Sequence, residues 1–166
     1  PHSKRGVAIE TKISDGHKGG IDEPYIIRRP EIIHGLRNMI QNAVDFATSK
    51  VWVESSWTKE AINITISDDG YGYPPNLLGR LGDPFLGAKI GKENRQGHEG
   101  MGLGLFIAKT LLERTGAKIS FSNGHKNQKP SQSQSVPSGA IVDIYWPRKK
   151  VETTSNLFGE NQNFSI

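Results

Sequence analysis

The chain contains no cysteine among its 166 residues, so disulfide bonds and thiolate metal sites are excluded. No apolar run approaches the roughly 20 residues of a membrane-spanning helix, and no signal peptide is visible. The pattern Gly-x-x-x-x-Gly-Lys-Ser/Thr is missing, which excludes a P-loop. The net charge of +4 favours anionic ligands, but the basic residues are dispersed, so no nucleic-acid stripe is predicted. Pro1 is interpreted as a cut inside a longer protein.

Hydrophobic periodicity predicts a chain of strands interrupted by two long helices. The first helix begins at Pro30 and Glu31, which suit a first turn. The second is predicted over residues 101–114 and ends at Gly116. Strands are predicted at residues 7–13, 25–28, 51–57, 61–68, 117–121 and 140–146. The predicted buried positions of the two helices are Ile33, Leu36, Ile40, Ala43 and Ala47, and then Leu103, Leu105 and Ile107.

This order predicts an α+β fold, a two-layer sandwich with a mixed, mostly antiparallel sheet of about five strands. About three helices would cover one face of the sheet. The composition of residues 79–99 predicts a long flexible loop. The composition of residues 123–138 predicts a loop of low order. The predicted organisation is a strand and loop in residues 1–24, a domain in residues 25–150 and a polar, flexible tail in residues 151–166.

Asn38 and Asn42 lie four residues apart, on the helix face that also carries Asp45. An amide oxygen can complete a Mg²⁺ shell that phosphates and waters already fill. The alternative is that these are polar residues of a solvent-exposed face with no ligand.

Strand alternation places Asp68 on the same side as Ile62, Ile64 and Ile66. A carboxylate that ends an apolar row needs a partner, and the amino group of adenine can be that partner. Gly70 and Gly72 would let the chain turn tightly around the base. The alternative is a plain Asp-Gly turn, and Asp69 is expected to be solvated.

Two further stretches suit a polyphosphate. Phe85 can anchor a flap whose cations approach phosphate oxygens on closure; these cations are Lys89, Lys92 and Arg95. Gly100, Gly102 and Gly104 open the second helix, whose free N–H groups suit an anion. The alternative for the flap is an ordinary exposed basic loop.

These four stretches, in this order, resemble the ATP-binding catalytic domain of sensor histidine kinases, which has the Bergerat-type ATPase fold. That family carries N, G1, F and G2 boxes, which match residues 38–42, 68–72, 83–87 and 100–105. The strand after Gly139 is similar to the family's final glycine strand, and the likeness covers residues 25–147. Residues 35–47 and 102–114 resemble in particular the RegB/PrrB-type redox-responsive kinases.

The resemblance implies that Asn42 binds Mg²⁺, that Asn38 assists at the phosphates and that Asp68 recognises adenine. It places further residues around ATP: Asp45, Gly70, Gly72, Phe85, Lys89, Arg95, Gly100, Met101, Gly102, Leu103 and Gly104. Two positions depart from the family. Asp45 stands where many relatives carry Lys or Arg, so it cannot stabilise a γ-phosphate. Met101 stands where many carry Thr or Ser, which removes a hydroxyl contact.

The function implied is transfer of the γ-phosphoryl group of ATP to a histidine on a separate dimerisation domain, for relay to a response regulator. None of the five histidines here lies in a convincing acceptor setting, so the chain should bind ATP but hardly phosphorylate itself. The whole protein is expected to be a homodimeric inner-membrane sensor with this domain in the cytoplasm. The isolated chain is expected to be monomeric.

Two other classes stay open. ATP-gated clamps that resemble gyrase B, Hsp90 and MutL use a glutamate on the asparagine helix to activate water. Glu31 is eleven residues before Asn42, and Asn38 holds the position where that glutamate is expected. The third class is a regulatory module that senses ATP without turnover.

Overall fold

The computed structural model describes residues 6–15, 21–83, 101–124 and 139–153. Within these ranges the chain forms one five-stranded sheet and two long helices. The strands are β1 (Ala8–Asp15), β2 (Lys50–Trp57), β3 (Ala61–Asp68), β4 (Lys118–Asn123) and β5 (Ala140–Pro147). The helices are α1 (Pro30–Phe46), α2 (Met101–Glu113) and the short α3 (Arg148–Val151), with a 3₁₀ turn at Leu78–Arg80.

The strand order across the sheet is β1-β2-β3-β5-β4. The pair β1–β2 is parallel, with α1 in the crossover connection that a parallel pair requires, and every other pair is antiparallel. The helices contribute to the core on the face that carries Ile62, Ile64 and Ile66. The predicted α+β sandwich is therefore confirmed. Among the described residues, no helix has both the length and the hydrophobicity to cross a membrane.

The buried face of α1 is shifted by one residue from the predicted stripe. Its buried residues are Ile32, Gly35, Met39 and Ala43, whereas Ile33 is exposed. Leu36, Ile40 and Ala47 are partly buried at the edge of the core. The prediction missed this because Gly35 is not hydrophobic and yet lies at the centre of the packed face.

Gly35 is where α1 and α2 come together. A Cβ atom at residue 35 would overlap the Leu112 side chain and lie 3.3 Å from the carbonyl oxygen of Ala108. Leu105, Ala108 and Leu112 form the buried stripe of α2. The prediction that Leu103 and Ile107 hold α2 to the core is wrong, since both are exposed. Alternate positions cannot share one face of a helix with 3.6 residues per turn.

The predicted strand at residues 25–28 is also wrong. Among the described residues, this segment forms one isolated bridge, between Ile26 and Glu152. Residues 151–153, assigned from sequence to the polar tail, are part of this packing, because Val151 is buried and its carbonyl accepts from the Ile27 N–H at 2.7 Å. Arg148 donates to Glu152 at 2.7 Å and to the Thr58 carbonyl at 2.9 Å. Residues 154–166 lie outside the described residues.

Candidate functional site

Asp68 ends β3 with its side chain inside the molecule, as strand alternation predicts, and is 1% exposed. Its Oδ1 atom accepts hydrogen bonds from the main-chain N–H groups of Gly70 at 2.8 Å and Ala140 at 3.2 Å. Among the described residues, no group donates to Oδ2. Burial raises the pKa of Asp68, partly offset by these two hydrogen bonds, and the charge of Asp69 raises it further. One oxygen of a buried carboxylate is thus held by the fold and the other is available.

The loop after Asp68 is fixed by Asn123, at the end of β4. The Asn123 Oδ1 atom accepts from the Tyr73 N–H at 2.7 Å, and its Nδ2 donates to the Tyr73 carbonyl at 2.8 Å. Gly72, at φ +78°, lies against the same amide. Sequence analysis did not identify Asn123, because its role depends on a contact with a residue 50 positions earlier.

Asn38 and Asn42 are half-buried on α1. Asn42 follows Gly35 by seven residues, close to two helical turns, so both lie on the side of α1 that faces α2. Asn38, one turn before Asn42, lies on the same flank. Asp45 is exposed and accepts from Gln41 at 2.9 Å. Within the described ranges, no three His, Asp or Glu side chains converge as a metal site.

The first turn of α2 begins at Met101 and Gly102, of which the structure describes the main chain alone. Leu103 is 60% exposed. At Gly104, a Cβ atom would meet no described atom within 4 Å. Among the described residues, none therefore packs closely against α2 at Gly104.

The predicted flap residues Phe85, Lys89, Lys92, Arg95 and Gly100 lie outside the described residues. The chain immediately before them is placed: Gly82 has φ +77° and packs against the Lys109 side chain of α2.

Asp69 was predicted from the sequence to be solvated, but its side chain is hydrogen-bonded within the fold. Its Oδ1 accepts from three successive main-chain N–H groups, those of Thr48, Ser49 and Lys50, at 2.9, 2.9 and 3.0 Å. Its Oδ2 accepts from the Ser49 hydroxyl at 2.5 Å. Burial alone would raise the pKa of Asp69, but these hydrogen bonds outweigh it and lower the pKa. Asp69 therefore joins the end of β3 to the turn between α1 and β2.

Residues 28–150 match the family model described as histidine kinase-, DNA gyrase B- and HSP90-like ATPase. The chain is 50% identical over 165 residues to the sensor histidine kinase RegB of Cereibacter sphaeroides. That alignment covers 97% of this chain and 36% of the relative, so the chain spans about a third of the length of this protein.

Solved structures with the same fold include the mycobacterial sensor histidine kinase MprB, with a TM-score of 0.59 and 19% identity, covering 88% of this chain and 84% of that one. Full-length ShkA, crystallised in complex with AMPPNP, gives a TM-score of 0.60 and 21% identity over 90% of this chain and 26% of that chain. At this identity the likeness concerns the fold.

Proposed function

The chain belongs to the family of histidine kinase-, DNA gyrase B- and HSP90-like ATPases, and we propose that it is the ATP-binding catalytic part of a two-component sensor histidine kinase. The identity of 50% with RegB supports this choice within the family. ShkA, which shares the fold, was crystallised with an ATP analogue.

The observation that carries the proposal is the carboxylate of Asp68, whose Oδ1 atom is held by two main-chain N–H groups while no described group donates to Oδ2. A carboxylate at the end of an apolar row needs hydrogen-bond donors, and the exocyclic amino group of adenine is a donor of the right kind. A hydrogen bond to a charged group contributes about 1.5–3 kcal/mol. Oδ1 stays bound to Gly70 and Ala140, so the fold holds the carboxylate in place while Oδ2 receives the base.

The triphosphate would lie between α1 and the start of α2. The free N–H groups of the first turn of α2 suit an anion, and no described atom near Gly104 would obstruct a phosphate that approaches the helix. Asn42 would offer its amide oxygen to Mg²⁺, which neutralises phosphate charge when bound. The described residues provide no carboxylate cluster, which fits an ion held mainly by phosphate oxygens and water.

The proposed reaction moves the γ-phosphoryl group to a histidine of a separate domain. An unprotonated imidazole nitrogen attacks phosphorus, the bond to the β-phosphate oxygen breaks, and ADP leaves. Phosphoryl transfer asks little covalent chemistry of a protein, so the contribution of this chain is to hold the nucleotide, with Asn38 beside the phosphates, in line with the acceptor. Asp45 cannot provide positive charge, so that role passes to Lys89, Arg95 or another domain.

The partners follow from this reaction. They are a histidine-bearing dimerisation domain of the same protein, in a homodimer, and a response regulator that receives the phosphoryl group. We place the chain on the cytoplasmic side of a membrane-bound sensor kinase and expect redox sensing to reside outside it.

The ATP-gated clamp is less well supported. A clamp of that type needs a glutamate close to the metal-binding asparagine. Glu31 lies in the first turn of α1, beside Arg29 at 3.8 Å, and the eleven residues to Asn42 correspond to roughly 16 Å along the helix axis.

The test has two stages. Titration of the 166-residue chain with ATP and Mg²⁺ should raise its thermal stability, by about 2.7 kcal/mol at 100 times the dissociation constant. The chain is then incubated with γ-labelled ATP, alone and with the histidine-bearing domain of its own full-length protein. Labelled phosphohistidine on that domain supports the kinase, whereas free phosphate alone supports a clamp.

The control is Asp68→Asn, which replaces the carboxylate by an amide and should weaken both stabilisation and labelling. Robust self-labelling of the chain alone, or binding of ATP that is indifferent to Asp68→Asn, would contradict the proposal. Binding without either product would favour the sensing module.

A further inference from the structure

We propose that Asn123 is a positioning residue for recognition of the base: by holding the loop of residues 70–73 at Tyr73, it keeps Asp68 in the orientation that binds adenine. The inference rests on the proposed function, which places the base at Asp68. Asn123 lies at the end of β4, outside the four stretches from which the site was predicted. Its effect on the nucleotide is exerted through the loop.

The loop is anchored at both ends by hydrogen bonds. At its start, the Gly70 N–H donates to the Oδ1 atom of Asp68 at 2.8 Å. At its end, the Asn123 Oδ1 accepts from the Tyr73 N–H at 2.7 Å, and the Asn123 Nδ2 donates to the Tyr73 carbonyl at 2.8 Å. A primary amide carries both a donor and an acceptor, so one side chain fixes both main-chain groups of Tyr73. Tyr71, between the anchors, is 89% exposed, so its side chain does not hold the loop in place.

Gly72 brings the loop directly against the Asn123 amide. Its φ of +78° lies in the region that glycine adopts readily. A Cβ atom on residue 72 would lie 2.7 Å from the Asn123 Oδ1 and 2.9 Å from its Cγ. Truncation of Asn123 would therefore leave a gap beside Gly72 as well as two main-chain groups of Tyr73 without their partner.

The end of β4 supports both hydrogen bonds that hold Asp68. The second donor to Oδ1 is the Ala140 N–H, at 3.2 Å, and Ala140 is the strand partner of Asn123. The Ala140 side of the carboxylate is thus held by main-chain pairing of β4 with β5. The Gly70 side depends on the Asn123 side chain. Substitution of Asn123 should release the Gly70 side and leave the Ala140 side in place.

The consequence for binding follows from the geometry of hydrogen bonds. A hydrogen bond weakens steeply when its angle becomes unfavourable, so a carboxylate that has lost its Gly70 donor no longer aims Oδ2 reliably at the adenine amino group. ATP would then have to order the loop on binding, and that cost lowers affinity. The base lies far from the γ-phosphate along the nucleotide, so the transfer step itself should not change once ATP is bound.

The test compares the parent chain with Asn123→Ala and with Asn63→Ala as the matched control. Asn63 is also partly buried and donates to the Thr65 hydroxyl at 3.2 Å, but it lies on the opposite face of β3 from Asp68. Amide exchange of the Gly70 and Ala140 N–H groups is followed by NMR without nucleotide. ATP is titrated calorimetrically with Mg²⁺.

Asn123→Ala should accelerate exchange at Gly70 about tenfold more than at Ala140, because the loop opens locally while the strands stay paired. It should weaken ATP binding about three- to tenfold, the effect of one neutral hydrogen bond. Asn63→Ala should do neither. Asn123→Asp keeps the size and the acceptor of the side chain but lacks the Nδ2 donor. It should weaken ATP binding in the same direction, and it decides the question if the alanine variant does not fold.

Kinetics separate positioning from a general loss of stability. With the histidine-bearing domain of the full-length protein, the ATP concentration for half-maximal labelling should rise by the same factor in Asn123→Ala, and the rate at saturating ATP should stay that of the parent. A merely structural role predicts a lower rate at saturation, an unchanged half-saturation concentration and faster exchange at both amides. That result, or an ATP affinity equal to that of the parent, overturns the inference while the proposed function stands. A parent chain that binds no ATP overturns the proposed function and this inference with it.

Discussion

Gly139 packs directly against the carboxylate of Asp68: a Cβ atom on residue 139 would overlap the Oδ1 atom of Asp68. The main-chain N–H of Gly139 also donates to the Asp68 carbonyl at 3.0 Å. The start of β5 therefore depends on a residue without a side chain, and the orientation of the buried carboxylate depends on the start of β5. Fold and candidate site share this contact.

Gly139→Ala should consequently damage both stability and binding. The added methyl group meets a carboxylate oxygen and the Gly70 nitrogen at 2.6 Å, neither of which can move without losing hydrogen bonds. We expect the free energy of unfolding to fall by about 1–3 kcal/mol, as for other overpacked sites, and ATP affinity to fall with it. Urea unfolding measures the first and calorimetry the second. An unchanged midpoint would contradict this interpretation.

Gly104→Ala is the matched opposite case. No described atom lies within 4 Å of its added methyl group, and alanine is the better helix former by up to about 1 kcal/mol, so the thermal midpoint should stay the same or rise. ATP affinity should nevertheless fall about tenfold, because a methyl group there would crowd a phosphate by an amount comparable to other overpacked contacts. A variant that is stable and binds ATP normally would place the phosphates elsewhere.

Asp68→Asn should separate stability from binding in a pH-dependent way. Since burial raises the pKa of Asp68, the folded chain holds this proton more tightly than the unfolded chain. Stability of the parent should therefore fall as pH rises through the raised pKa. Asp68→Asn has no carboxylate to ionise in the interior, so it should be at least as stable as the parent at pH 7. The difference in the free energy of unfolding between the two proteins should narrow in acid.

The same substitution should reduce ATP affinity about 10- to 150-fold at pH 7, the equivalent of one charged hydrogen bond. ATP binding by the parent should weaken as pH falls through the raised pKa, because a protonated Asp68 no longer accepts with its full charge. Calorimetry from pH 8 to pH 5, with thermal melts of both proteins, measures these trends. A parent affinity independent of pH, together with a marked instability of Asp68→Asn at pH 7, would oppose them.

The sequence was sufficient to predict the order of the main elements, because alternation in residues 62–66 and the helix signals at Pro30 and Gly116 are local properties of the chain. It failed where hydrophobicity was not the deciding factor. Gly35 is central to α1 packing because it lets α2 approach, and a hydrophobic stripe cannot reveal that. The strand predicted at residues 25–28 had the right composition, but none of the described strands pairs with it along its length.

At the site, burial of Asp68 followed from strand alternation, whereas its hydrogen bonds did not. The donor at Ala140 is 72 residues away in sequence, and Asn123 reaches Tyr73 across 50 residues. Such contacts depend on sheet order, which places β5 between β3 and β4. The roles of Asn38 and Asn42 remain predictions, supported by their position on the α2 side of α1.

Asp69 should stabilise the fold through its charge. The pH dependence of this contribution should have the opposite sign to that of Asp68. Hydrogen bonds from the Ser49 hydroxyl and from the Ser49, Lys50 and Thr48 N–H groups outweigh burial and lower its pKa. The contribution of Asp69 is therefore present above the ordinary Asp pKa and is lost as pH falls through the lowered one. Asp69→Asn keeps an acceptor but removes the charge, and should lower the free energy of unfolding at pH 7 by about 1 kcal/mol, since the carboxylate is partly exposed to solvent. The gap to the parent should close below roughly pH 4. Ser49→Ala, which removes the hydroxyl hydrogen bond to Oδ2 and leaves the charge, should cost less and reduce the pH dependence without abolishing it, since the three N–H groups remain. Urea unfolding of the three proteins at pH 7, 5 and 3.5 measures this, and a gap that widens in acid would contradict it.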